Sequence, residues 1–196
     1  MSDARDTILA RLEMARPPTA APPPPMTPPP TPPDPIAVLR ARVEEAGGLL
    51  QSVSRTGWAD QVAWPEDRST MEHVYSGVSG FEGRGVGRTV TTDRDMDCLD
   101  LCVLRADLAV VENGAVWHVP STPHERSAAL LAQHLVVIVD ATKLVPTLHQ
   151  AYERIDLAQT TFGWFLCGPS KTADIEQALV LGAHGPRTMS LVLIHD

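Results

Sequence analysis

The chain has 196 residues, 43% of them hydrophobic, with a formal net charge of −8 and a pI near 5.3. That is enough apolar material for one domain with a core, and too little length for a second full domain. The acidic balance, with no Lys/Arg cluster longer than a pair, excludes a nucleic-acid surface, which needs a basic stripe against the phosphates.

No run of 18 apolar residues occurs, so no membrane-spanning helix is expected. The opening MSDARDTILARLEMARPP carries charges through its apolar positions and does not read as a secretory signal. Cys98, Cys102 and Cys167 fit a reducing compartment better than a disulfide framework. A cytoplasmic location is therefore expected.

In chain order, residues 4–15 read as a short amphipathic helix, with Ile8, Leu9, Leu12 and Met14 set among Arg5, Asp6, Arg11 and Glu13. It is expected to dock on its own domain, with a partner-binding role as the alternative. Between Pro17 and Pro35 lie 12 of the 18 prolines, which makes a semi-rigid polyproline II spacer. A PxxP ligand is disfavoured because no basic residues flank the tract on its C-terminal side. The division is a helical arm (1–16), a proline-rich linker (17–35) and one α/β domain (36–196).

Asp34 caps the next helix, with Pro35 at its first position, and Gly47-Gly48 ends it. Residues 49–53 and 74–78 read as strands, and 55–73 carry no clear pattern. Asn113-Gly114 between two apolar runs (109–111 and 115–119) signals a hairpin, since positive φ is needed at the turn. Helices are expected at 121–133, 145–155 and 172–181, and strands at 135–139, 161–167 and 189–194. This order predicts a Rossmann-like, largely parallel sheet with an inserted antiparallel hairpin. Ligands of such sheets gather just beyond the strand ends. That singles out 77–87, 112–114, 140–143 and 168–174.

Several residues there carry usable chemistry. Gly168-Pro169-Ser170-Lys171-Thr172-Ala173-Asp174 precedes the expected helix. Ser170 or Thr172 would cap it, Asp174 would favour its dipole, and Lys171 would assist an anion at its start. The spacing is not that of a Walker loop. His184 and Arg187 are not needed for the turn at Gly185-Pro186 and are candidates for the same site. Glu112 at a strand end is a candidate acid, base or nucleophile, and also a candidate for stabilising its own turn. Asn113 and Gly114 are candidate ligand contacts beside it. The Gly80–Gly87 stretch lacks GxGxxG spacing, and its loop with Arg84 and Arg88 is at most a mobile cover for an anion. Ser170, Asp174 and His184 lack a nucleophile elbow. The seven histidines show no metal-ligand spacing, so no metal and no cofactor is expected.

The run GPSKTADIEQALVLGAHGPRTMSLVLI resembles, nearly position by position, the C-terminal signature of the LutC/YkgG branch of the LUD (lactate utilization) family. Ala106–Val116 resembles a second signature, in which many members have threonine where this chain has Asn113. Leu144–Leu148 resembles a third. The resemblance covers 105–196 and implies a NagB/RpiA/CoA transferase-like fold. It also implies a part in oxidising L-lactate to pyruvate, as a small-molecule-binding or scaffold subunit beside iron–sulfur or redox partner proteins. Members of this branch lack the partner's cysteine clusters, and this chain has no C-x₂-C-x₂-C spacing. The competing expectation is an independent enzyme of CoA-transferase or sugar-phosphate isomerase type using Glu112.

Overall fold

The computed structural model describes residues 2–16, 21, 27, 29–65, 71–79, 81, 88–89, 93–175 and 178–196, with backbone alone at 2–3, 88–89, 93–95, 173–175 and 178–181. The expected glycine-rich loop, Arg84 included, falls mostly outside these residues.

The first helix, α1 (Ser2–Met14), forms as its pattern predicts. Its apolar side chains are not buried: Ile8, Leu9, Leu12 and Met14 are all exposed. Helix α2 (Pro35–Glu45) opens as expected, with the Asp34 carboxylate accepting from Ala37 N at 2.9 Å and Pro35 in the first turn. It leads through Gly47, at φ +81°, into β1 (Leu49–Ser54). The short helix α3 (Trp58–Gln61), then β2 (His73–Ser76) and β3 (Arg88–Thr89), follow.

Strand β4 (Leu101–Arg105) has no counterpart among the sequence expectations, although four of its five residues are buried. Next come β5 (Leu108–Val110), β6 (Val116–His118), α4 (Pro123–Leu131) and β7 (His134–Asp140). After them come β8 (Leu144–Val145), α5 (Leu148–Arg154) and β9 (Trp164–Leu166). The chain ends with β10 (Lys171–Ile175), β11 (Ala178–Leu181) and β12 (Thr188–His195).

Six strands form one sheet in the order β1-β12-β7-β4-β2-β3, and every pairing in it is parallel. Parallel sheets need both faces covered, and the central strands show it by alternation. Leu135, Val137, Val139, Leu191 and Leu193 pack on one face with Leu39 and Val43 of α2 and Ala128 of α4. Val136, Ile138, Val192 and Ile194 pack on the other with Phe81, Trp58 and Trp64. The inserted unit is a second sheet, β8-β5-β6-β9, with Leu108, Val110, Trp117 and Val145 against Ala151 of α5.

Two expectations need correction. The helix expected at 172–181 is the antiparallel pair β10–β11, with Thr172 opposite Val180 and Ile175 opposite Ala178. Its β-branched residues suit a strand, and Gly182 at φ +73° follows it. The helix expected from 145 starts later, because Val145 pairs with Val110 in β8. Thr147 then caps α5 by accepting from Gln150 N at 3.2 Å. The Asn-Gly hairpin forms with a longer connection, 111–115, in which Gly114 takes φ +75° and Asn113 Oδ1 accepts from Ala115 N. Among the described residues no helix is long and apolar enough to cross a membrane.

Candidate functional site at the carboxyl edge of the sheet

The candidate residues from the two signatures do come together, but at the amino edge of the parallel sheet. Ser170 N donates to Pro186 O, just before β12, and Arg187 N donates to Gln133 O, just before β7. Cys167 Sγ donates to Asn113 O at 3.4 Å, which joins the 112–114 turn to the 168–171 segment. Both pack on the end of α2. A Cβ on Gly168 would stand 2.3 Å from Ala46 O, and one on Gly114 would stand 3.0 Å from Val43 N.

Most of these side chains have a folding task there. Lys171 lies against Gly47, where an ammonium complements the carbonyl end of α2. It also opposes the burial that pushes the Cys167 thiol up. Thr172 and Asp174 belong to β10 rather than to a helix start, so the helix that was to bind an anion is absent. Arg187 lies along Gly182, and Ser170 lies against Gly185. His184 is exposed in the intervening bend.

Glu112 is exposed, and its Oε1 accepts from Leu148 N at 2.6 Å, satisfying a free N–H in the first turn of α5. Glu112→Ala is therefore expected to lower stability by ~1 kcal/mol, as loss of a capping acceptor does. Urea denaturation measures it, and ligand binding should be unchanged.

The carboxyl edge is built differently. Arg105 ends β4, Asp140 ends β7, and Arg55 and Asp196 follow β1 and β12. Arg55 clamps the edge, reaching Asp140 at 2.6 Å and Asp196 at 2.7 Å. Asp140 also accepts from Thr142 N and Oγ1. The Arg55 guanidinium, then Thr142, hold the Asp140 carboxyl well below the usual carboxylate range.

A group depressed in this way stabilises the fold above its unfolded value and loses that effect as pH falls through the folded one. The stability difference between wild type and Asp140→Asn is thus expected to be constant near neutrality. It should shrink as pH falls below about 5, where an unfolded aspartate begins to protonate. Urea midpoints taken from pH 7 down to pH 3 measure this.

Beyond this clamp a cleft of about 570 Å³ opens between the two sheets. Arg105 and Asp107 leave β4 along one wall, Asp140 and Lys143 leave β7, and Arg154 and Asp156 close the end of α5. Leu108, Trp117, Val119 and Ile155 supply an apolar floor. Trp117 is fixed against Phe165, ring centroids 4.8 Å apart.

The cations around the cleft differ from the arginines of α2 and β1. Arg40 donates to Leu50 O, Arg42 pairs with Glu45, and Arg55 is doubly paired. The side chains of Arg105, Lys143 and Arg154 have no such partner among the described residues. Asp156 is occupied by Ala158 N and Gln159 N, whereas Asp107 is exposed and unpaired among the described residues. Three available cations and one available carboxylate around an apolar floor suit a small organic anion that also carries a hydroxyl.

Sequence reasoning marked the 140–143 segment as a strand end but missed Arg105, Asp107 and Arg154. The signal for Arg105 was a charge closing a short apolar run. Arg154 and Asp156 carried none, because only the second sheet brings α5 to this edge. Among the described residues no group of histidine, cysteine and carboxylate side chains could hold a metal ion.

Comparison with known proteins gives a consistent result. The family model described as LUD domain matches residues 88–194, more than half of the chain. Lactate utilization protein C of Exiguobacterium sp. is 33% identical over 103 residues, covering 50% of this chain and 45% of that protein. Lactate utilization protein C 1 of Bacillus mycoides is 30% identical over 163 residues, covering 79% of this chain and 69% of that one. The chain thus spans between about half and two thirds of these relatives' length. A solved structure, a DUF162 family protein from Deinococcus radiodurans, superposes with a TM-score of 0.59 over 82% of this chain and 96% of its own, at 13% identity. At that identity the likeness is one of fold.

Proposed function

The chain belongs to the LUD domain family, on its lactate utilization protein C branch, and from that premise we propose that it is a component of bacterial lactate utilization that binds a small 2-hydroxy or 2-oxo acid. The observation that carries this reading is the cleft edged by Arg105, Lys143 and Arg154, whose cations lack protein partners among the described residues. A guanidinium matches a carboxylate with two parallel N–H···O bonds. Asp107 accepts from the hydroxyl, and the floor of Leu108, Trp117 and Ile155 takes the methyl group.

The cleft volume of about 570 Å³ lies in the range of sites for much larger ligands, so a three-carbon acid leaves space beside it. A redox group brought by an iron–sulfur partner protein would find its place there. The chain is then a binding or scaffold subunit in the cytoplasm, with electron acceptance left to the partner. Residues 36–196 form the binding domain, and the proline-rich linker (17–35) joins the arm (1–16) to it.

The test is genetic. Deleting the gene in its host should abolish growth on L-lactate as sole carbon source. The wild-type gene should restore growth, and one encoding Arg105→Ala, Lys143→Ala and Arg154→Ala together should not. Normal growth of the deletion strain on lactate would contradict the reading.

A second reading keeps the signature residues Glu112, Asn113, Gly114, Gly168, Ser170, Lys171, Thr172, Asp174, His184 and Arg187 as a ligand site of a transferase- or isomerase-type enzyme. The contact between Asn113 and Cys167, with Lys171 beside them, favours it. Turnover of acyl-CoA or phosphosugar substrates that disappears in Glu112→Gln would support it, and no turnover in either protein would exclude it.

A further inference from the structure

Strand β6 presents its residues to two sides. Trp117 and Val119 line the cleft, and His118 between them points the other way, 3% exposed. Its Nδ1 lies 3.0 Å from Arg105 O. A carbonyl only accepts, so Nδ1 carries a proton. Its Nε2 is buried and has no hydrogen-bond partner among the described residues.

The group facing Nε2 is Glu125, 4% exposed. Glu125 is the third residue of α4, behind the N-cap Thr122 that accepts from Glu125 N. This is the position from which a capping-box carboxylate reaches back. Here Oε2 reaches one residue further, accepting from both Ser121 N and Ser121 Oγ. Oε1 is left turned to His118 Nε2 at 3.9 Å. Gly77, just beyond β2, closes over it: a Cβ there would stand 2.2 Å from Oε1.

A gap of 3.9 Å is too long for a hydrogen bond. It suits one oxygen placed about 2.8 Å from each atom, the usual length for such bonds. Buried polar nitrogens are almost always hydrogen-bonded, and this one has no protein partner among the described residues. We propose that His118 Nε2 and Glu125 Oε1 form a binding site for one hydroxyl group, whose oxygen bridges them. This site lies on the opposite side of β6 from the cleft and does not depend on the cleft's ligand.

The neighbouring groups leave these two as the reactive pair. Cys102 of β4 is held as a thiol by burial, with the nearby Glu125 carboxylate adding to the effect. Burial also raises the Tyr75 phenol of β2, while a hydrogen bond with Thr122 pulls it down and Glu125 raises it further. An alcohol has one proton and bridges the pair by accepting from Nε2–H and donating to Oε1. Water has two and can donate to both atoms when Nε2 is bare. In either case an acid or a base sits on one oxygen, the arrangement needed to move a proton to or from it. Ser121, which holds the carboxylate, also lines a 180 Å³ cavity with Arg126 and Phe162.

Nitrogen-15 spectra of histidine-labelled full-length protein test the proposal, with propan-2-ol and acetone as probes, neutral molecules that differ in the hydroxyl and lack the carboxylate that the cleft takes. The expected result is an Nε2 resonance of a hydrogen-bonded nitrogen that shifts in Glu125→Gln while the Nδ1 resonance stays. A further shift with propan-2-ol and none with acetone identifies a ligand hydroxyl. No shift with either, together with a cross-peak from the His118 ring to water, identifies a bound water. An Nε2 resonance of a free nitrogen in the wild type overturns the proposal, whether or not the variant folds. So does an equal shift with both probes, or no shift with either and no cross-peak to water.

Discussion

Arg105→Ala is expected to weaken binding of L-lactate roughly 10- to 100-fold, the loss of about 1.5–3 kcal/mol that accompanies removal of a hydrogen bond to a charged group. The effect is large because Arg105 closes a buried strand, so its backbone cannot move to let a neighbour substitute. Its main chain is also fixed, since Arg105 O takes the His118 Nδ1 bond. Lysine at the same place should recover only part of the loss, because an ammonium cannot present two parallel donors to a carboxylate. Arg42→Ala is the matched control. Arg42 is paired with the exposed Glu45, and its loss should leave affinity unchanged. Calorimetric titration of the three variants measures both statements.

Gly168→Ala is expected to lower stability by about 3 kcal/mol. Left-handed backbone costs a non-glycine residue roughly 1–2 kcal/mol, and forcing atoms into a filled space adds about 1–3 kcal/mol. Gly168 has φ +67°, and its Cβ would lie 2.3 Å from Ala46 O, a backbone atom that moves only if the end of α2 moves. Gly57→Ala separates the two costs. Gly57 has φ +68° with nothing within 4 Å of its Cβ, so only the conformational part, about 1–2 kcal/mol, should be seen there. Urea midpoints of the two variants decide. Equal losses would mean that the approach of residue 168 to α2 contributes nothing.

These two residues also mark what the sequence could and could not reveal. The parallel sheet was legible because β7 and β12 are apolar along nearly their whole length, as strands buried on both faces must be. The α2 cap was legible because Asp34-Pro35 is a local signal. The β10–β11 pair was not. Thr172-Ala173-Asp174-Ile175 reads equally well as a capped first turn, and its pairing with 178–181 continues into the flanking segment, where Gly182 N donates to Ser170 O and Ser170 N to Pro186 O.

The site divided along the same line. Glu112, Lys171 and Gly168 stood out because they sit in signatures with strong local chemistry. The structure gives Glu112 a bond to α5 and places Gly168 and Lys171 at the end of α2. Arg105, Lys143 and Arg154 come from three separate elements and meet only because the β4–β7 crossover carries β5 and β6 while the β7–β12 crossover carries β8, α5 and β9. His118 and Glu125 were hidden for another reason: one reads as a strand residue and the other as an ordinary first-turn carboxylate.

In the proposed function the carboxyl-edge cleft, and not the signature cluster at the amino edge, receives the carboxylate. Backbone amide spectra recorded during titration with L-lactate test it most directly. The amides of Arg105, Asp107, Lys143 and Ile155 are expected to shift with one common affinity while those of Asn113, Ser170 and Lys171 stay. Saturable shifts confined to Asn113, Gly114, Ser170 and Lys171 would contradict it.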